Sequence, residues 1–198
     1  MGNHRYQQAY DYIINRMSNE IPPAFYYHNV PHVLDVLDSA IRIAKSENIS
    51  EKETELLKVA VLFHDSGFIK SPINHEASGC LIAMEYLPGV GYSSEEIDII
   101  CKLIMATRVP HQPETLLEQI ICDADLDYLG RDDFFTTGNK IFRELLEQGN
   151  IEDEKAWNEL QVKFLTAHRY FTATSVALRQ NVKLKHLELV KEMLRSEV

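Results

Sequence analysis

Along nearly the whole of this chain apolar residues recur at steps of three and four, and no stretch of convincing length alternates apolar with polar. That spacing draws an apolar stripe down one face of a helix, whereas a half-buried strand needs a period of two, so the pattern restricts the chain to an all-α fold. Tyr6, Ala9, Tyr10, Ile13, Ile14 and Met17 form the stripe of a first helix, which Pro22 and Pro23 close before an aromatic loop, Phe25-Tyr26-Tyr27. Pro31 suits the first turn of a second helix running roughly to Ser46. Ser50 with Glu53, and Ser93 with Glu96, are capping-box pairs that open two more. The first of these should stop at Gly67 in a left-handed conformation, and another helix should run from near Asn74 to just before Pro88. Arg108 to Pro113 reads as a loop because its two prolines lie three apart. A helix from Leu116 is expected to end at Gly130, with two further segments at about 132–148 and 152–195. The last is too long for one globular helix and is expected to break near Gln180-Asn181.

A length of 198 residues suits one domain, 1–198, with a real core. The formal charge of −10 argues against a partner such as duplex nucleic acid, whose binders carry a basic face. A small phosphorylated substrate is still compatible, because a bound cation reverses the local field. Cys80, Cys101 and Cys122 are too few and too scattered for a disulfide framework or a CxxC zinc site, and each sits in an apolar run as a buried thiol would. The N-terminus lacks the apolar core of a secretory signal, and Tyr6 stands where a myristoylation pattern wants Ser or Thr. No run approaches 18 apolar residues, so no membrane partner is expected and the expected compartment is the cytoplasm. A homo-oligomer is left open.

Helical bundles build metal sites from His and carboxylate side chains that point inward from several helices. His64 and Asp65 end an apolar helix directly after Ala60-Val61-Leu62-Phe63. Neighbours on a helix stand ~100° apart, so both reach one ion only if it lies between their directions near the helix end. Asp125 falls inside the apolar stripe Ile120-Ile121-Cys122-Asp123-Ala124-Asp125-Leu126, where a buried carboxylate needs a partner. His32 lies in the first turn of the second helix. Taken singly, each reads equally as a cap, a core histidine or an exposed charge; the argument is their joint pattern.

His32, the doublet His64-Asp65 some thirty residues on, and Asp125 in the run Ala-Asp-Leu-Asp-Tyr-Leu-Gly together resemble the H…HD…D signature of the HD superfamily. The resemblance covers about residues 25–131 and leaves the C-terminal helices, 132–198, without a role. It implies an HD-domain helical bundle in which His32, His64, Asp65 and Asp125 hold a divalent ion, with Asp65 bridging to a second ion where one exists. Tyr27-His28-Asn29-Val30-Pro31-His32 is also similar to the YHNxxH motif of cyclic-nucleotide phosphodiesterases, members of the same superfamily. That likeness implies a general-acid role for His28, which suits an imidazole titrating near neutral pH; a helix-capping role is the alternative. Some members follow the order H…HD…H…H…D and place the extra pair on a second ion, which here would be His75 and His111. His75 also reads as part of an Asn74 cap, and His111 as a solvated loop residue.

Glu76 beside His75 is a candidate base, or a carboxylate behind the ligands, and so joins His28 and Asp65 as a catalytic candidate. Lys70 and Arg108 are the cationic candidates for phosphate. Mixed His and carboxylate donors suit a transition metal (Mn²⁺, Fe²⁺, Ni²⁺ or Zn²⁺), one ion or two, rather than Mg²⁺ or Ca²⁺. The expected activity is metal-dependent hydrolysis of a phosphoric ester or anhydride in a nucleotide or other small phosphorylated metabolite. Two other readings fit the resemblance: a di-iron oxygenase, and a metal- or nucleotide-binding sensor without turnover. An alarmone hydrolase ranks low, because no Glu-Asp pair occurs between His64 and Asp125.

Overall fold

The structure, a computed structural model, describes residues 2–196, with side chains from residue 4; Met1 of the Met-Gly pair lies outside. Among the described residues there are helices and no strand. They are α1 (Gly2–Glu20), α2 (Val30–Ser46), α3 (Glu51–Phe63), α4 (His75–Tyr86), α5 (Ser94–Ala106), α6 (Leu116–Asp125), α7 (Phe134–Glu147), α8 (Glu154–Ala167) and α9 (Ala173–Ser196). Three short 3₁₀ turns, Ser66–Ile69, Leu87–Val90 and Asp127–Gly130, follow α3, α4 and α6. None of the helices is long and apolar enough to cross a membrane.

Local chemistry sets most of the starts. Asn29 accepts from the His32 amide, with Pro31 in the first turn of α2. Both expected capping boxes form, and Thr115 with Glu118 adds a third at α6. Each box satisfies amides that a helix start leaves orphaned. The buried faces of α1 to α6 then close one core around Ile13, Val33, Ala60 and Ile100, with α2 packed on α3 and α6. A second cluster joins Tyr27, Leu126, Tyr128 and Leu129 to Phe134, Leu165 and Leu187 of α7, α8 and α9.

Three boundaries differ from the sequence reading. Helix α6 stops at Asp125 rather than running to Gly130, because the backbone tightens there into the 3₁₀ turn that carries Asp127. The long C-terminal segment breaks at residues 168–172, not near Gln180-Asn181. Buried Asp123 of α6 causes that break: it accepts from the amides of Phe171 and Thr172 and from the Thr172 hydroxyl, so it caps α9 from another helix. Gly67 does not end α3 through a left-handed backbone. It lies within a 3₁₀ turn, and it is glycine because a Cβ there would stand 1.9 Å from the His75 carbonyl oxygen. Gly79 of α4 meets the Phe63 carbonyl in the same way, at 2.6 Å. Two missing side chains thus let α4 press its backbone onto the end of α3.

Candidate metal centre

The close approach of α4 to α3 brings the end of α3, the first turn of α2 and the last residue of α6 to one point. Nε2 of His32 lies 3.4 Å from Nε2 of His64 and 3.2 Å from Oδ1 of Asp125. Nε2 of His64 lies 3.5 Å from the same Asp125 oxygen. These three ligand atoms all fall within 4.8 Å of one another. Asp65 adds its two oxygens separately, Oδ2 at 3.4 Å from His32 and Oδ1 at 3.4 Å from His64.

Would a cation fit these residues? Donor atoms at ~2.1 Å from a tetrahedral ion stand ~3.4 Å apart, which is the spacing found here. His64 Nδ1 donates to the Val61 carbonyl at 2.7 Å, so in the neutral ring Nε2 keeps its lone pair toward the cluster. Asp65 Oδ2 is buried with no hydrogen-bond partner, a costly state for a carboxylate oxygen unless a cation meets it. The donor set fits a divalent metal ion.

The charges point the same way. Burial pushes the His64 imidazole down, but Asp65 and Asp125 outweigh it and raise it to about 9. Burial pushes Asp125 up, yet the hydrogen bonds from His32 and His64 hold it well below the usual carboxylate range.

His28 stands beside this cluster rather than in it. Its ring stacks on Phe68 and lies 6.1 Å, centroid to centroid, from that of His32. Its Nδ1 is in short contact with Oε1 of Glu144, whose Oε2 accepts from the amides of Tyr27 (2.9 Å) and His28 (3.2 Å). Burial pulls the His28 imidazole down, and the Glu144 bond with the nearby Asp65 charge more than reverses it, so His28 is raised. Sequence reasoning missed Glu144, which lies in α7 and is almost completely buried. The signal was its place three residues after Ile141 on the inward stripe of that helix, where a lone glutamate requires a partner.

The other candidates divide. His75, which opens α4, puts Nε2 3.5 Å from Asp65 Oδ1 and 3.6 Å from Oε1 of buried Glu76. His75 does not share an Asn74 side-chain cap: Asn74 is left-handed at φ 54 and accepts instead from Arg108. His111 is not brought to the group; it contacts the Thr107 carbonyl and lines a separate cavity with His168 and Phe164. Lys70 and Arg108 are both exposed and line no wall of the cavity at the cluster.

The HD domain family model matches residues 30–127, a span that holds His32, His64, Asp65 and Asp125. Among curated proteins no sequence matches. Among solved structures, a predicted HD superfamily hydrolase from an uncultured Thermotogales bacterium aligns with a TM-score of 0.62 at 19% identity. The alignment covers 95% of this chain and 92% of that one, so the likeness of fold extends through α7, α8 and α9. With the family match spanning the four converging residues, this chain is an HD-domain protein.

Proposed function

We propose that the chain is a metal-dependent phosphohydrolase acting on an ester or anhydride bond of a nucleotide or other small phosphorylated metabolite. The observation that carries this reading is the juxtaposition of two groups. One is a buried His32–His64–Asp65–Asp125 set whose donor spacings suit one ion; the other is a raised histidine, His28, held just outside it. An ion held there supplies Lewis acidity, lowering the pKa of water and polarising phosphoryl oxygens. With Nδ1 engaged by Glu144, His28 keeps Nε2 free to hand a proton to the leaving oxygen. Asp65 is the carboxylate best placed to face a second ion, since its Oδ1 lies between His64 and His75. Because Lys70 and Arg108 lie off the cavity wall, the reading assigns the phosphate to the cation side of the site together with His28 and His75.

The Thermotogales protein of similar fold is itself described as a predicted hydrolase, which agrees with this reading. The test is metal analysis of the purified protein, followed by phosphate release from phosphorylated metabolites with Mn²⁺, Ni²⁺, Fe²⁺ or Zn²⁺. Asp65→Ala is expected to lose both metal and turnover while keeping its helical content. An Asp65→Ala protein with normal metal and turnover, or a protein that consumes oxygen and releases no phosphate, would overturn the proposal.

A further inference from the structure

A cavity of about 240 Å³ opens from the cluster, with Asp65, Asp125, His28 and His75 at one end. Its far end is built by the helices beyond the family match: Ile141 and Leu145 of α7, and Trp157, Leu160 and Phe164 of α8. No lysine or arginine lines it. Of its deeper polar groups, Gln161 already donates to Asn158 Oδ1 at 3.1 Å. An engineered apolar cavity of ~150 Å³ holds a benzene molecule, so this one has room for a ring and several further carbons. A ribose or polyphosphate would bring several hydroxyls or charges to a wall dominated by Leu126, Leu129, Phe134 and Ile141, where Tyr27, Tyr128, Thr107 and Gln161 are the uncharged polar side chains and unpaired polar groups are costly.

We infer that the substrate is the phosphate monoester of an apolar alcohol, alkyl or aryl, whose hydrocarbon part fills the α7–α8 cavity while its phosphate lies at the His/Asp cluster. This inference rests on the phosphohydrolase reading and narrows it. In the reaction, a water oxygen bonds to phosphorus and the phosphorus–alkoxy bond breaks. The leaving alkoxide takes its proton from His28, the proton shed by the attacking water returns to His28 through solvent, and the free alcohol and inorganic phosphate depart.

The experiment is a chain-length series. Straight-chain alcohols from ethanol to octanol are nearly equal as leaving groups, so any trend along the series reports the pocket and not the chemistry. Binding of n-alkyl phosphonates, methyl to octyl, is read from the fluorescence of Trp157, the chain's single tryptophan and part of the cavity wall, with Mn²⁺ present. Turnover of the matching n-alkyl phosphates and of adenosine 5′-monophosphate is followed by phosphate release. Affinity and kcat/KM are expected to rise about fourfold per added methylene until the cavity is full. In Leu160→Arg, a change at a half-exposed position of α8, both series should flatten; the wild-type series decides the matter even if that variant folds poorly. A flat wild-type series with clear hydrolysis, or a preference for adenosine 5′-monophosphate over octyl phosphate, would overturn this inference and leave the phosphohydrolase reading standing. Tightening fluorescence titrations with no phosphate released from any ester would keep the apolar pocket and sink the hydrolase reading.

Discussion

Glu144 commits both carboxylate oxygens to one dipeptide, gripping the amides of Tyr27 and His28 with one and the His28 ring with the other. It thereby fixes where His28 points and how firmly it keeps its proton. If His28 is the acid, His28→Ala should retain metal yet lose on the order of 10²–10⁴-fold in turnover of alkyl esters. The loss should shrink on a nitrophenyl ester, which needs little protonation; equal losses on both would count against the acid role. Glu144→Gln removes the charge that raises His28, so the imidazole loses its proton at lower pH. The alkaline limb of the pH–rate profile should then move toward acid, a shift that a merely structural role would not produce. His64 gives a separate test in the metal-free protein. Its folded value, about 9, lies above the ordinary value near 6.5. The stability it contributes is therefore fully present below about pH 6.5 and lost as pH rises through about 9. Thermal melts of metal-free protein should drop across that window, and added Mn²⁺ or Ni²⁺ should restore the alkaline side by replacing the proton. A metal-free melting temperature that does not change from pH 6 to 9 would refute the assignment.

At the scale of elements, the centre depends on α3 and α4 touching backbone to backbone. Gly67→Ala would drive a Cβ into the His75 carbonyl, where no flexible side chain can yield. It should cost about 3 kcal/mol, and it should weaken metal binding because the displaced turn directly follows His64-Asp65. Calorimetric unfolding and a metal titration of the variant check both effects. Asp123→Ala should cost about 2–4 kcal/mol by stranding the Phe171 and Thr172 amides at the start of α9, which a denaturant melt would register. These contacts also mark where sequence reading runs out. Helix order, two capping boxes and the spacing of His32, His64-Asp65 and Asp125 were legible because they are local patterns or a family signature. The break at 168–172 was not, because the residue that makes it, Asp123, is nearly fifty positions away. Glu144 was hidden for the same reason, 116 residues from the ring it holds. His111 has the place of a ligand in the family's order, and the path of its loop takes it elsewhere.

Across the whole molecule, the family match ends at residue 127, but the site does not. Helices α7, α8 and α9 cover Leu126, Tyr128 and Leu129, supply Glu144, and wall the cavity. A chain cut after Arg131 would bare those side chains together with Tyr27, and it is expected to aggregate or bind a hydrophobic dye strongly. A soluble, dye-negative fragment with full metal affinity would show that the C-terminal helices are dispensable to the centre. Helix α7 also ties two properties that enzymes often adjust separately. Glu144 sits between Ile141 and Leu145, so the side chain that holds His28 and those that shape the cavity ride on one turn. Any tilt that makes room for a bulkier guest also loosens the grip on His28. Engineering this chain toward a new substrate at 141 or 145 would therefore carry a shifted pH optimum as a passenger, with both traits geared to one helix.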